Sequence, residues 1–334
     1  MPWRARAPQR PNPYHVLVSE AMLQQTQVAT VEAYFQRFIA RFADVRALAD
    51  ASEQQVLRQW QGLGYYRRAR LLHAAAKQIV AQYAGCVPDN VPALLTLPGV
   101  GRYTAGAVAS IAFGRRAPAV DGNIARVLSR WAALDQPIDA PAVREQLWLL
   151  AAELVPEHRP GDFNQALMDL GATICLPRAP RCESCPVAAF CQARKLGREQ
   201  ELPRRTPRRA PRPVTQHVLV VISRGRMLLQ RRPDAGMWAG MWQFPTAETL
   251  PAAATAAQLQ AWAQATLGLS ILTPQPLAAF THITTHRRIR FLAWQATARR
   301  RPDLGPTSTW RQPQDLDDLP LPNPQRRVLT MLQA

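Results

Sequence analysis

Long apolar runs are missing from this 334-residue sequence, and acid is in short supply. No uninterrupted stretch of about 18 apolar residues is present to cross a bilayer, which excludes a helical membrane span. The first residues lack the charged, then apolar, then small-residue order of a secretory leader. The expectation is a cytoplasmic protein, nucleoid-associated in a bacterium. Cysteine is scarce: there are five, an odd number, and four crowd into residues 175–191. That crowding excludes a disulfide framework. Asp and Glu total 23 against 41 Lys and Arg, a formal charge of +18 in which the excess is mostly arginine. On a chain with 47% hydrophobic residues, this imbalance implies a folded protein that binds a polyanion in a salt-dependent way. The length suggests two domains, each able to bury its own core.

What is there is organised around residues 94–131. Leu94 and Leu95 close an apolar segment. Pro98 fixes φ, and Gly99 and Gly101 permit positive φ, so the chain turns sharply before a helix begins near Arg102. Such a turn points backbone N–H groups outward at a helix N-terminus, where a phosphate fits. Leu97, Pro98, Gly99, Val100 and Gly101 would then hold a duplex in place without reading its bases. Further on, Ala119–Asn123 enters a helix running from Ile124 to Trp131, with Asp121 or Asn123 as its N-cap. Helix dipole and N–H donors both favour the anion of a carboxylate held there.

The rest of the N-terminal half reads as helix: Tyr14–Phe42 as one helix or two, then 51–61, 69–83, 143–155 and 163–174. Glu20 falls at the edge of an apolar stripe between Val16 and Leu23. Burial there would keep it protonated, as a general acid must be. Gln24, Gln25 and Gln27 follow, neutral amides that can enter a base stack. Tyr65-Tyr66-Arg67-Arg68 comes just after Gly62 and Gly64 and suits base stacking flanked by phosphate contacts.

Residues 194–214 turn to arginine and proline and read as an extended linker lying along phosphate. From Thr215 the pattern is β. HVLVVIS and RMLLQRR form a hairpin about Gly225, followed by a helix near 254–267 and strands at 276–283 and 288–296.

Cys175, Cys182, Cys185 and Cys191 are separated by six, two and five residues. Four thiolates this close can surround one metal centre. An all-cysteine zinc site is the rival, and two wide gaps with one close pair favour a [4Fe–4S] cubane.

The hairpin, the Val120-Asp121-Gly122-Asn123 run and this cysteine spacing resemble the helix-hairpin-helix DNA glycosylases of the endonuclease III superfamily. Within it the likeness is to the adenine DNA glycosylases of the MutY type, over nearly the whole chain. The resemblance implies an α+β protein of two domains. An all-helical glycosylase domain, 1–193, would carry the [4Fe–4S] loop at 175–191. A basic linker, 194–214, would lead to a Nudix-like α/β recognition domain, 215–334. The implied partner is double-stranded DNA containing A·8-oxoG or A·G, bound by a monomer.

Residue roles follow from the same resemblance. Glu20 would protonate adenine at N7, Asp121 would stabilise an oxocarbenium-like sugar, and Asn123 and Tyr103 would order the site. Trp3, Arg4, Gln165 and Asp169 would line the pocket for an extruded base. Gln24, Gln25 and Tyr65 would contact the strand around the lesion pair. Thr284-Thr285-His286 stands where the family has Phe-Ser-His and would sense 8-oxoguanine. Tyr103 occupies the place of the lysine nucleophile found in strand-cutting relatives, and Ala125 that of an alternative lysine, so lyase activity should be weak at most. The stretch AQLQAWAQATLGL lacks the glutamates of a hydrolytic Nudix box, so this half should bind without hydrolysing. The rival readings are a G·T mismatch thymine glycosylase on the same scaffold, a non-catalytic iron–sulfur DNA-binding protein and an active Nudix hydrolase.

Overall fold

The structure, a computed structural model, describes residues 1–4, 10–207 and 210–333. Residues 5–9 of the expected N-terminal loop, and Arg208 and Arg209 of the expected linker, lie outside the described residues. The helices run α1 Pro13–Leu23, α2 Val28–Arg41, α3 Val45–Asp50, α4 Glu53–Trp60, α5 Arg67–Tyr83, α6 Val91–Leu95, α7 Arg102–Phe113, α8 Gly122–Trp131, α9 Pro141–Leu154, α10 Pro160–Thr173, α11 Gln192–Lys195, α12 Ala256–Leu267 and α13 Asn323–Gln333. The strands are β1 Arg212–Ser223, β2 Arg226–Arg231, β3 Trp242–Gln243, β4 Thr246–Ala247, β5 Gln275–Ile283, β6 Arg287–Thr297 and β7 Ser308–Arg311. Among the described residues no helix is long and apolar enough to cross a membrane.

The chain divides into two compact units, Met1–Asp50 with Leu71–Arg208, and Ala51–Arg70 with Arg209–Ala334. The first unit is helical. Asn12 caps α1, its side chain accepting from the Tyr14 N–H at 2.9 Å, with Pro13 preset in the first turn. The stretch Tyr14–Phe42 is two helices, because Gln25 takes a φ of +59° between them. Val31, Phe35 and Phe38 on α2 are each at most 3% exposed and contribute about 1.5–3 kcal/mol apiece by burial.

At the centre lies α7, buried almost all round from Thr104 to Ser110 and packed on α1, α6 and α10. Its small residues permit close approach. A Cβ added to Gly106 would stand 1.8 Å from the Pro118 carbonyl oxygen, so the extended run after α7 lies directly against the helix. That run delivers the chain to α8. Ile124 and Leu128 of α8 are fully buried with Val143, Leu147 and Ala151 of α9.

Part of the basic stretch after α11 does not run free. Leu202 is 1% exposed, and the Leu202 carbonyl accepts from Arg130 Nε at 2.8 Å. The Ile138 N–H donates to the Arg204 carbonyl at 3.0 Å, and the Thr206 N–H to Asp139 at 3.0 Å. Arg198 and Arg204 both pair with Asp135. These bonds seat residues 198–206 on the helical unit, where composition alone suggested an extended linker.

The second unit is built on a mixed sheet of order β3-β2-β1-β6-β5, with β4 on β1 and β7 on β2. β1 and β6 pair in parallel, and the other pairs are antiparallel. Both faces of β1 are buried from Gln216 to Val221. Val218 and Val220 join Phe291, Leu316 and Val328 of α13 on one side, while Leu219 and Val221 join Ala263 and Leu267 of α12 on the other. The hairpin turns at Gly225, φ +73°, as expected, and β2, the helix and the two later strands match the sequence pattern within two residues, whereas β1 begins at Arg212, inside the stretch expected as linker.

Residues 51–70 join this unit although the sequence pattern placed them with the helices. Their polar side chains decide it. Gln54 Nε2 donates to the Gly240 carbonyl at 2.9 Å and Gln54 Oε1 accepts from Trp242 Nε1 at 3.1 Å. Gln61 Oε1 accepts from the Leu321 N–H at 3.1 Å, and Arg58 pairs with Asp318 at 2.7 Å.

Candidate active site

In the helical unit, α1, α7, α8 and α10 bring expected residues together with others that were not expected. Glu20 on α1 is 4% exposed. Tyr103, in the first turn of α7, donates to Glu20 Oε2 at 2.7 Å. Burial pushes the Glu20 carboxyl up from 4.5 to about 7. The Tyr103 hydrogen bond and the Arg4 charge oppose that rise, and the Asp121 charge adds to it. The Tyr103 phenol is itself raised well above 10 by burial and by the Glu20 and Asp121 charges, so it stays a donor. Met168 of α10, not anticipated, lies 3.8 Å from the same hydroxyl through its sulfur. Arg4 forks onto Asp169 of α10 at 2.7 and 2.8 Å. Trp3 is buried edge-on against Phe35, with ring centroids 5.3 Å apart. Gln165, on α10 with Asp169, is half-buried and donates to the Gly161 carbonyl.

Asp121 caps α8. Its Oδ1 accepts from the N–H groups of Asn123 at 3.0 Å and Ile124 at 2.7 Å, and its Oδ2 accepts from Asn123 Nδ2 at 3.1 Å. These bonds and Arg126 favour the anion, as the capping position predicts. Burial outweighs them, however, and the net shift of the carboxyl is upward. The expectation of a carboxylate held down by its cap is corrected in that respect. The contrast between the two acids survives, since Glu20 is the more deeply buried and only its carboxyl is carried to about 7.

Along α8 lies a second finding that the sequence did not signal. Arg126 and Arg130 are 4% and 2% exposed. Arginines one turn apart on a surface helix ordinarily face water, and nothing in their spacing says otherwise. Arg126 donates to Asn123 Oδ1 at 3.0 Å, to the Gly171 carbonyl at 2.6 Å and to the Cys175 carbonyl at 2.8 Å. Arg130 donates to the Leu176, Pro177 and Leu202 carbonyls and reaches Cys175 Sγ at 3.3 Å. One face of α8 thus runs from Asp121 to the start of the cysteine loop.

In that loop Cys182 opens a short 3₁₀ turn and Cys191 caps α11. Burial, Glu199 and the other three cysteines all push the Cys182 thiol up, so those three sulfurs lie within electrostatic range of Cys182. Among the described residues no three His, Cys, Asp or Glu side chains form a group for a single metal ion. A zinc ion needs its sulfurs about 2.3 Å from one point, whereas a cubane binds each thiolate at a separate iron. Arg130 carries a buried charge with no carboxylate among its hydrogen-bond partners, and sulfur beside it. A buried cation of this kind needs an anion close by, which cysteines bound to a metal group would supply. The residues present fit a polynuclear group. Cys86 stands apart and is exposed.

The α6–α7 hairpin forms where expected. Gly99 takes φ +76° and leaves no room for a Cβ, which would stand 2.7 Å from Leu71 Cβ. Gly101 differs from expectation. It caps α7 in an ordinary extended conformation, φ −92°, and a Cβ there would meet nothing within 4 Å. Leu97 and Val100 are buried anchors, 2% and 8% exposed, so only the backbone of this turn, Pro98 and the glycines face outward. No side chain caps α7, and its first N–H groups have no such acceptor. Gln24 sits beside the same turn, donating to Thr104 Oγ1 at 3.4 Å, and Gln25 is exposed next to it.

In the second unit the tyrosine pair splits. Tyr66 is 5% exposed, accepts from the Gly62 N–H and donates to Asn323. It is core, contrary to its reading as a stacking residue. Tyr65 is 50% exposed, and its hydroxyl lies 3.3 Å from Thr285 Oγ1. Thr285 and His286 are exposed in the turn between β5 and β6. Thr284 closes that turn, its Oγ1 accepting from the Arg287 N–H at 3.1 Å and its N–H donating to the Arg287 carbonyl. The sheet and this turn therefore put Tyr65 and Thr285, far apart in sequence, side by side.

Comparison with known proteins agrees with both units. Residues 18–153 match the HhH-GPD superfamily base excision DNA repair protein family, and residues 217–331 match the NUDIX domain family. The human adenine DNA glycosylase is 39% identical over 79% of this chain, which spans 58% of that relative's length. Among solved structures, a thermostable thymine-DNA glycosylase is 32% identical with a TM-score of 0.51, over 59% of this chain and 88% of that one. The mouse adenine DNA glycosylase is 36% identical over 92% of this chain and 69% of its own length. The chain belongs to the adenine DNA glycosylase family.

Proposed function

We propose that this protein excises adenine lying opposite 8-oxoguanine or guanine in double-stranded DNA, acting as a monofunctional glycosylase. The observation that carries the reading is the buried Glu20, hydrogen-bonded to Tyr103 and carried to about 7 beside Asp121. An acid able to give a proton near neutrality and an anion close to it are what N-glycosidic cleavage requires.

The adenine leaves the stack to reach the site, and Trp3, the Arg4–Asp169 pair and Gln165 border its pocket. Glu20 gives its proton to N7, the bond from C1′ to N9 breaks with its electrons going to the base, and positive charge develops on the sugar. Asp121 faces that charge, held in place by Asn123 and the N–H groups of α8. Water then adds to C1′, and its proton returns to the Glu20 carboxylate. Tyr103 stands where a lysine would be needed for Schiff-base chemistry, so the strand is left uncut.

The cysteine loop would hold a [4Fe–4S] cluster through Cys175, Cys182, Cys185 and Cys191. When bound, that cluster supplies a fixed anionic core to a loop whose arginines face DNA. The outward N–H groups of the Pro98–Gly101 turn seat a phosphate, and Gln24 and Gln25 border the strand. In the second unit Tyr65, Thr284, Thr285 and His286 meet the lesion base.

Single-turnover assays on A·8-oxoG, A·G and T·G duplexes test this. Adenine should be released from the first two, and Asp121→Asn should lower the rate about 10³-fold while leaving duplex affinity nearly unchanged. Thymine release from T·G with no adenine release would sink the proposal.

A further inference from the structure

β1, β5 and β6 contain no Asp or Glu. β6 lies between the other two, parallel to β1 and antiparallel to β5. Alternation along β6 sends Ile289, Phe291 and Ala293 into the core and leaves Arg288 and Arg290 on the opposite face, both exposed. Towards the far end of the strands that second face is covered, since Leu219, Val221 and Ala296 pack with residues of α12. At the near end it is open. Thr281 and Ile283 of β5 are exposed there, Ile283 at 60%.

Register makes two rows across the open end. Thr215, Arg290 and Thr281 are partners in one, and Pro213, Arg288 and Ile283 in the next. Neighbours in a row are about 4.8 Å apart, and the rows about 6.8 Å. Some arginines of this unit are tied to acids: Arg58 pairs with Asp318, Arg231 with Asp234 and Arg232 with Glu248. Among the described residues Arg288 and Arg290 have no hydrogen-bond acceptor or ion-pair partner. Arginines on an open sheet are often merely solvated. These two lie directly after the Thr284–Arg287 turn, on a three-strand surface without a single acid, and the row of Arg290 also bears the hydroxyls of Thr215 and Thr281.

We infer that this open face is a phosphate clamp in which Arg288 and Arg290, flanked by Thr215 and Thr281, hold neighbouring phosphodiesters of the DNA strand that meets the Thr284–His286 turn. The identity of that strand rests on the function proposed above. The clamp itself requires only a duplex. Guanidinium groups bind phosphate oxygens through forked donors, and such contacts position without specifying sequence.

The test is a salt titration of duplex binding, by anisotropy, for the full chain and for Arg288→Gln/Arg290→Gln, on an A·8-oxoG duplex and its undamaged counterpart. Losing two phosphate contacts should make log K against log salt shallower by about 1.8 on both duplexes. Between about 50 and 200 mM salt, the full chain should then lose about tenfold more affinity than the variant. Arg288→Lys/Arg290→Lys, which keeps the charge, should restore most of the slope. Parallel salt plots would overturn the clamp, and so would a loss confined to the lesion duplex, which would mean base reading. Excision is measured separately. A shallower slope in a chain that excises nothing leaves the clamp standing and removes the glycosylase reading, while normal excision with parallel plots does the reverse.

Discussion

Tyr103 donates its phenolic hydrogen to Glu20 at 2.7 Å from the first turn of α7, the helix that the hairpin also presents outward. The hairpin turn and the acid are thereby fixed to one rigid element. Whatever seats the turn on a backbone also sets the position of the proton donor.

The pH dependence of excision follows. The Glu20 carboxyl, raised to about 7, is protonated below that value and loses its proton as pH rises through it. The single-turnover rate should fall about tenfold per unit above pH ~7. On the acid side the rate should fall once Asp121, itself raised by burial, takes up a proton. The Tyr103 hydrogen bond favours the Glu20 anion, so Tyr103→Phe should move the alkaline fall to higher pH. A break that stays put, or moves down, contradicts this arrangement.

The same shift has a sign in stability. A carboxyl whose folded pKa exceeds its unfolded one destabilises the fold wherever it must ionise. Relative to pH 4, stability is lost as pH rises from about 4.5 to about 7. At 1.36 kcal/mol per unit the full penalty is about 3 kcal/mol. Glu20→Gln cannot ionise. Its urea midpoint should match the parent's near pH 4 and correspond to about 2–3 kcal/mol more stability at pH 8. Equal midpoints at both pH values would refute the assigned shift.

Arg130 is the joint between α8, the cysteine loop and the basic stretch around Leu202. Arg130→Met leaves three carbonyls without their donor and removes the cation beside Cys175. The expected loss is about 3–5 kcal/mol, read by denaturant melts, together with a fall in iron per chain. Unchanged iron and an unchanged midpoint would show that the loop holds itself.

Two glycines should behave oppositely. Gly106→Ala puts a methyl group 1.8 Å from the Pro118 oxygen and should cost about 1–3 kcal/mol or more. Gly101→Ala meets nothing within 4 Å and should cost about 1 kcal/mol or less, yet weaken duplex binding by crowding whatever approaches the turn. Melting and anisotropy on the two variants separate these outcomes.

Much of the fold was legible because its signals are local. Asn12-Pro13 announces the start of α1, Gly225 the β1–β2 hairpin, and alternation in β6 its buried face. The burial of Glu20, at the edge of an apolar stripe, and the cap at Asp121 were legible too. Arg126 and Arg130 were not, because their burial depends on α10 and the cysteine loop, which no spacing within α8 reports. The division of Tyr65 from Tyr66 was also hidden. Adjacent tyrosines look alike in sequence, and their partners tell them apart, among them Asn323, remote in sequence, which bonds Tyr66. The upward shift of Asp121 was missed because capping is a local signal and desolvation is not.

Residues 51–70 leave the ribosome long before Arg209, the residue at which the rest of their unit resumes. Until then Gln54, Arg58 and Gln61 lack Gly240, Trp242, Asp318 and Leu321, with which they bond in the finished fold. The segment is made before the partners with which it bonds, and the second unit is complete in sequence only with the last helix. The two units are therefore not two successive lengths of chain, and a chain stopped before Arg209 would leave α4 without the partners of Gln54 and Arg58.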